Sequence, residues 1–148
     1  MDAIWVVVAN QAGARIYNAD RRGQISALLD EFLHDAGKAH AQDLVSDSPG
    51  RVHDRRGPGR HSMESDVGMQ QDGIRRFAGQ IVEHVTAAAG HDAFSNLVIV
   101  AAPAFLGEIR KHVPAHLADR ITLEIPKDMV NATTDKLTAL LGQELQVP

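Results

Sequence analysis

The sequence contains no cysteine, which excludes disulfide bonds and every cysteine-based zinc or redox site. It also offers no leader or membrane span near its start. The apolar run Ala3–Ala9 is too short to cross a bilayer, and no basic n-region precedes it as in a signal peptide. These features predict a cytoplasmic protein with no membrane insertion.

Basic residues are not in excess, because the formal net charge is −4 with histidine neutral. This balance argues against a broadly basic nucleic-acid binder. The charge is uneven, however: between Arg51 and His61, four arginines face one aspartate, a local formal charge of +3. The segment can be a solvated loop, or a loop that contacts phosphate or another anion. For the second case the candidate residues are Arg51, Arg55, Arg56, Gly57, Gly59, Arg60 and His61.

Several catalytic signatures are missing from the chain. It has no Gly-x-Ser-x-Gly elbow, no phosphate-binding P-loop and no dinucleotide-binding glycine motif. A two-metal nuclease of the ribonuclease H type needs a carboxylate in its first strand, and Ala3–Ala9 holds none. His112 and His116 have helical ligand spacing, but Pro114 breaks the helix between them. We predict no metal and no cofactor, and keep His61 as the one candidate for proton transfer.

The first third of the chain has strand patterns. Ile4–Ala9 is a continuous β-branched and aromatic run, typical of a strand buried on both faces. Turn residues separate it from Ala14–Ala19, and a further turn precedes Gln24–Leu33, which has strand character but is also compatible with a helix. Residues 35–65 lack a sustained period and contain several glycines and prolines, so a long loop is predicted there.

Helices and strands alternate in the remainder. Apolar residues between Ile74 and Ala89 form one helical stripe that Gly90 ends. A buried strand at Leu97–Ala101, a helix after Pro103, a half-exposed strand at Ile121–Ile125 and a leucine-lined terminal helix follow. Three arginines lie in the predicted helices: Arg75, Arg76 and Arg110. We interpret them as solvated or weakly ion-paired side chains. The alternative is that they extend a basic surface.

The order of these elements predicts one α/β domain over residues 1–148. Short turns between the first three strands indicate an antiparallel meander, and helical crossovers before the last two strands indicate parallel pairing. The expected architecture is a mixed five-stranded sheet with helices on both faces, as in the ribonuclease H-like fold. No internal repeat or domain boundary interrupts it.

Nearly the whole chain resembles the bacterial family called "protein required for attachment to host cells". The matching segments are Ile4–Asn10 with Gly13–Arg15, Ser46–Arg51, Gly57–His61, Arg75–Ala78 and Leu97–Arg110. The last two segments are chiefly fold signals. The polar segments Ser46–Arg51 and Gly57–His61 are the signature of the family. The family name describes a phenotype and implies no particular chemistry.

The order of elements also resembles the central domain of archaeal and eukaryotic peptide chain release factors. In those proteins a Gly-Gly-Gln tip before the long helix promotes hydrolysis of peptidyl-tRNA. Gly57–His61 occupies that point of the order here, but no Gly-Gly-Gln occurs in the chain. The resemblance therefore implies contact with ribosomal or transfer RNA without the glutamine-dependent reaction, since arginine binds phosphate and stacks on bases.

Three functions follow from these observations. The first is a release-factor-like binding module in translation quality control, whose Arg51–His61 segment contacts the ribosome or tRNA. The alternative is a regulatory factor that binds a protein partner and affects attachment to host cells indirectly. A third is a small hydrolase that uses His61 with a carboxylate of the same loop.

Overall fold

The structure, a computed structural model, describes residues 3–34 and 60–145, with the side chains of residues 60–67 left aside. The strands are β1 (Ile4–Asn10), β2 (Gly13–Ala19), β3 (Ile25–Leu33), β4 (Asn96–Ala101) and β5 (Ile121–Ile125). The helices are α1 (Arg60–Gly90), α2 (Pro103–His112), α3 (Ala115–Ala118) and α4 (Thr134–Leu145).

One mixed sheet contains the five strands in the order β3-β2-β1-β4-β5. β2 pairs antiparallel with β1 and β3, whereas β4 pairs parallel with β1 and β5. The predicted combination of an antiparallel meander with two parallel strands is therefore confirmed. β1 lies at the centre, and its side chains Val6, Val7 and Val8 are at most 2% exposed because both faces are covered.

Helices cover both faces of the sheet, as predicted. On one face Val7, Ile16 and Ile99 pack with buried side chains of α1 and α2. On the other face the alternate residues of the same strands pack with Leu137 and Leu141 of α4. This division follows from the period of two in a strand, which sends successive side chains to opposite faces.

The ends of the helices follow local signals in the sequence. Pro103 begins α2, where its missing N–H costs nothing. The Thr133 hydroxyl accepts a hydrogen bond from the backbone N–H of Lys136 at 3.2 Å and so caps α4. α1 ends at Gly90, but the residue with a left-handed backbone after it is Asp92, at φ 56°. No helix among residues 3–34 and 60–145 is long and apolar enough to cross a membrane.

α1 begins earlier than the sequence indicates. Its first residue is Arg60, so residues 60–65 are helical although the predicted loop extends over 35–65. These residues carry no apolar stripe, which is why their periodicity gave no sign of a helix. Gly79 of α1 lies against α2. A Cβ at this position would lie 3.3 Å from the ring of His112 on α2. Glycine therefore permits close packing of α1 against α2 at this point.

Candidate nucleic-acid interface

The predicted basic segment lies in the chain between the strand β3 and the first turn of α1. The described chain reaches His34 directly after β3 and resumes at Arg60, the first residue of α1. The backbone N–H of His34 donates to the carbonyl of Ala12 at 3.1 Å, and Nδ1 donates to the carbonyl of Gln11 at 2.7 Å. Both carbonyls belong to the turn between β1 and β2, so the segment 35–59 starts beside the end of the central strand.

The ring of His34 also packs against α1. It stacks on the ring of Phe77 with 4.8 Å between centroids and 9° between planes. Phe77 is 3% exposed and contacts the ring of Phe105 on α2 at 5.9 Å. The last described residue before the basic segment is thus connected by hydrogen bonds to the sheet and by ring contacts to both helices of one face.

The turn that holds His34 is itself fixed by Asn10 at the end of β1. Asn10 Oδ1 accepts hydrogen bonds from the backbone N–H groups of Ala12 and Gly13 at 2.8 and 3.1 Å. Its Nδ2 donates to the two carboxylate oxygens of Asp128 at 3.1 and 3.3 Å. The side-chain amide of Asn10 therefore joins the β1–β2 turn to the residues that follow β5. These hydrogen bonds stiffen this end of the sheet.

Asn10→Asp tests this arrangement directly. The substitution replaces a donor by a second carboxylate at hydrogen-bonding distance from Asp128, so two like charges face each other. We expect a loss of about 1–2 kcal/mol in the free energy of unfolding near neutral pH, as for a broken hydrogen bond to a charged group. Chemical denaturation with and without the compensating change Asp128→Asn measures it. An Asn10→Asp protein as stable as the unchanged chain contradicts the role assigned to this amide.

α1 begins at Arg60, well before Ile74, which packs against the core. Between them Gly68 and Met69 are exposed, Met69 by 69%, whereas Gly73 is buried. At a rise of about 1.5 Å per residue, Arg60 lies about 21 Å along the helix axis from Ile74.

The predicted site residues divide into two groups. Arg60 and His61 lie in the first turn of α1, with side chains beyond the description. The remaining candidates lie outside the described residues: Arg51, Arg55, Arg56, Gly57 and Gly59. Their assignment as anion-binding residues, and that of His61 as a proton-transfer group, stay predictions.

The arginines outside the segment contribute little to a basic surface. Arg75 forms an exposed ion pair with Asp72 at 2.9 Å, and Arg110 pairs with Glu124 at 2.6 Å. Surface pairs of this kind contribute little to stability. Their carboxylates offset the positive charge that a phosphate would need, so the interpretation as weakly paired surface residues is supported for these two.

The histidines within the description have structural contacts. His84 on α1 packs its ring near Trp5 and forms a contact of 3.3 Å with Asp30 on β3. His112 ends α2 and His116 lies in α3, so the two do not share a helix face. Across residues 3–34 and 60–145, no group of three His, Asp or Glu side chains is placed to hold a metal ion.

Sequence reasoning did not find His34 or the pair formed by Asn10 and Asp128 as the base of the site. In the sequence, Asn10 is only a polar residue that follows the apolar run Ala3–Ala9. Its partner Asp128 is 118 positions away, and no spacing rule links them. For His34 the available signal was its position, since it stands between the last residue of β3 and the start of the predicted loop.

The chain matches a known protein family. The family model described as "Protein required for attachment to host cells" matches residues 5–141, which is nearly the whole chain. No curated protein matches the sequence. The match covers every described strand and helix at least in part. A similarity to release factors stays a prediction.

Proposed function

This chain belongs to the family of proteins required for attachment to host cells, and we propose that it acts as a binding module whose Arg51–His61 segment contacts ribosomal or transfer RNA. The family name itself indicates a role in attachment to host cells. The finer proposal concerns how a protein of this family acts: through RNA, in translation quality control, with attachment affected downstream.

The observation that supports the proposal is a basic, glycine-containing segment that lies in the chain between β3 and the start of α1. Four arginines and one aspartate give residues 51–61 a local charge of +3 on a chain whose total charge is −4. The chain before the segment is fixed at His34, which makes contacts of 2.7 and 3.1 Å to the β1–β2 turn. A fixed base lowers the conformational entropy lost when a segment binds.

RNA suits the segment better than a compact anionic ligand does. Arginine forks bind phosphate in pairs of hydrogen bonds and stack on unpaired bases, and glycines let a backbone approach a strand closely. The absence of Gly-Gly-Gln separates this proposal from peptidyl-tRNA hydrolysis by the release-factor reaction. Binding, and not catalysis, is therefore the proposed activity.

The test is sedimentation of the purified chain with ribosomes across a salt series. Replacement of phosphate counterions makes binding fall with salt, so three to four contacts predict a loss of about 20- to 50-fold between 50 and 200 mM salt. We expect the triple variant Arg55→Ala, Arg56→Ala, Arg60→Ala to abolish sedimentation at low salt and to remove most of the salt dependence.

A matched variant controls for the loss of three positive charges. The side chains of Arg110, Lys111 and Lys136 are exposed and lie on α2 and α4, away from Asn10 and Asp128 in the sequence. Their triple replacement by alanine changes the net charge equally, and we expect it to leave sedimentation within about twofold of the unchanged chain. An unchanged chain that never sediments with ribosomes at low salt, or equal losses in both triple variants, contradicts the proposal.

The second candidate is a factor that binds a protein and affects attachment indirectly. The negative net charge and the family name favour it. A crosslinking pull-down with nuclease treatment separates the two: recovery of one protein partner that survives nuclease supports this candidate, whereas recovery of ribosomal or transfer RNA supports the first.

A further inference from the structure

An open groove lies between α1 and the end of α2, and its volume is about 700 Å³. Small-molecule sites in proteins have volumes of about 300–1,000 Å³. One side of the groove is a line of α1 residues between Arg76 and Ala87, which recur at helical spacing. The other side is formed by His112, the last residue of α2, and by Pro114. The groove is therefore large enough for a small ligand.

Two opposite charges without partners lie along this line of α1. Arg76 and Glu83 are exposed and line the groove. Within the described part of the chain, neither forms an ion pair or a hydrogen bond, unlike the neighbouring Arg75. Their spacing of seven residues places them almost in line on the helix surface, about 10 Å apart along its axis. A ligand that spans the groove therefore meets a cation at one end and a carboxylate at the other.

An imidazole ring lies between these two charges. A Cβ on Gly79 would lie 3.3 Å from both Cε1 and Nδ1 of His112, so the ring is in close contact with α1 between Arg76 and Glu83. His112 is exposed in spite of this contact. Histidine is one of the side chains on which unpaired bases stack. The groove thus offers a positioned ring, open to solvent, to a planar group of a ligand.

The hydroxyl of Thr86 adds a polar group without a partner. Thr86 lines the groove three residues after Glu83, and its Oγ1 is buried with no hydrogen-bond partner among the described residues. A buried hydroxyl that lacks a partner is unfavourable, and threonine in a helix occupies two χ1 rotamers. A ligand in the groove that pairs with this hydroxyl removes the unfavourable contribution.

We propose that this groove binds a guanine nucleotide, with its phosphate at Arg76, its base against the ring of His112 and the base donors at Glu83. Guanine presents two adjacent N–H donors on its Watson–Crick edge, which match the two oxygens of one carboxylate. Adenine instead presents an acceptor beside its donor. The guanidinium fork of arginine binds phosphate through pairs of hydrogen bonds. A free amino acid carries its two charges too close together to reach both ends.

The site goes beyond the proposed contact between the Arg51–His61 segment and RNA. The nucleotide comes from one of two sources: it is free, or it is a guanosine of the RNA that the segment binds, and only the second source rests on the proposed function. Binding of guanosine monophosphate (GMP) is measured without ribosomes. Its failure therefore leaves the sedimentation test intact, and failure of sedimentation leaves the groove as a nucleotide site.

NMR titration of the isotope-labelled full chain with GMP tests the site. We expect the amide signals of Gly79, Glu83 and His112 to shift with a Kd of about 0.1–1 mM, because an open groove gives weak binding. Adenosine monophosphate should bind about fivefold more weakly, since its edge turns an acceptor towards the carboxylate. Guanosine without phosphate should bind about tenfold more weakly. An absence of shifts at about 5 mM GMP, or equal affinity for the two nucleotides, overturns the proposal.

Two variants and a matched control assign the ends of the ligand. Glu83→Gln should weaken GMP about tenfold and bring its affinity within about twofold of that for the adenine nucleotide, because an amide has one acceptor oxygen. Arg76→Gln should lower the affinity for GMP to that for guanosine. Arg75→Gln removes the neighbouring charge, which is paired with Asp72, and should keep the affinity within about twofold. The spectrum without ligand shows that each variant is folded. Equal losses in the Arg75 and Arg76 variants contradict the site.

A short oligoadenylate with one central guanine separates the two sources of the nucleotide. If the guanine belongs to RNA, the oligonucleotide binds at least about tenfold more tightly than GMP, and Arg55→Ala, Arg56→Ala, Arg60→Ala removes the gain. If the nucleotide is free, the oligonucleotide binds no more tightly than GMP. Both results support the groove as a guanine site. Equal shifts of the groove signals by an oligonucleotide of adenine alone overturn it.

Discussion

Replacing Gly23 by alanine is expected to lower the free energy of unfolding by about 2–5 kcal/mol, a large part of the total for a domain of this size. Gly23 lies in the turn between β2 and β3 with φ at 89°, where a residue with a Cβ is strained. A Cβ there would lie 2.8 Å from Cβ of Leu141 and 2.9 Å from the backbone N of Gly142. Both belong to α4, so the helix has to move off the sheet. Urea denaturation followed by circular dichroism measures the loss.

Gly107→Ala is the control with the opposite expected sign. Gly107 lies inside α2, and nothing comes within 4 Å of a Cβ placed there. Alanine in a helix interior is favoured over glycine, so we expect a gain of up to about 1 kcal/mol. If both substitutions change the midpoint by the same amount and in the same direction, the contact between Gly23 and α4 does not limit stability.

Strands at the centre of the sheet could be predicted because their sequence reflects burial on both faces. Ile4–Asn10 and Asn96–Ala101 are almost continuous apolar runs, and they pair with each other as parallel neighbours in the middle. β3 gave a weaker signal for a physical reason. It lies at an edge, six of its nine residues are exposed, and its leucines follow no period of two.

The base of the candidate site could not be predicted, because it depends on contacts between distant positions. The bond from Asn10 to Asp128 spans 118 positions, and the stacking of His34 on Phe77 requires that β3 and α1 be adjacent. Composition instead identified the basic segment 51–61, because its excess of arginine is visible without the fold. The sequence thus indicates which residues could bind an anion, and the fold shows the contacts of His34, the last described residue before them.

The β1–β2 turn, which holds His34, and the edge strand β3 are connected through α1. His84 of α1 contacts Asp30 near the end of β3, and Phe77, two turns earlier, stacks on His34 just beyond that strand. Trp5 of β1 and Phe32 of β3 place their rings 6.5 and 5.0 Å from that of His84. One face of α1 therefore fixes both the end of the edge strand β3 and His34, the residue that follows this strand.

Phe77→Ala is expected to cost about 3–5 kcal/mol of unfolding free energy, because it removes a large side chain that is 3% exposed from between the sheet and two helices. It also removes the ring on which His34 stacks at 4.8 Å. Urea denaturation gives the cost. If the protein remains folded, hydrogen exchange at the backbone N–H of His34 should speed up more than the loss of global stability accounts for.

His34→Ala separates the stacking from the burial of Phe77. We expect this substitution alone to cost about 1 kcal/mol, since a half-buried ring and one hydrogen bond are lost. The double variant with Phe77→Ala should cost less than the sum by about 0.5–1.5 kcal/mol, the range measured for paired rings. Strict additivity contradicts the role of the stack in fixing the segment.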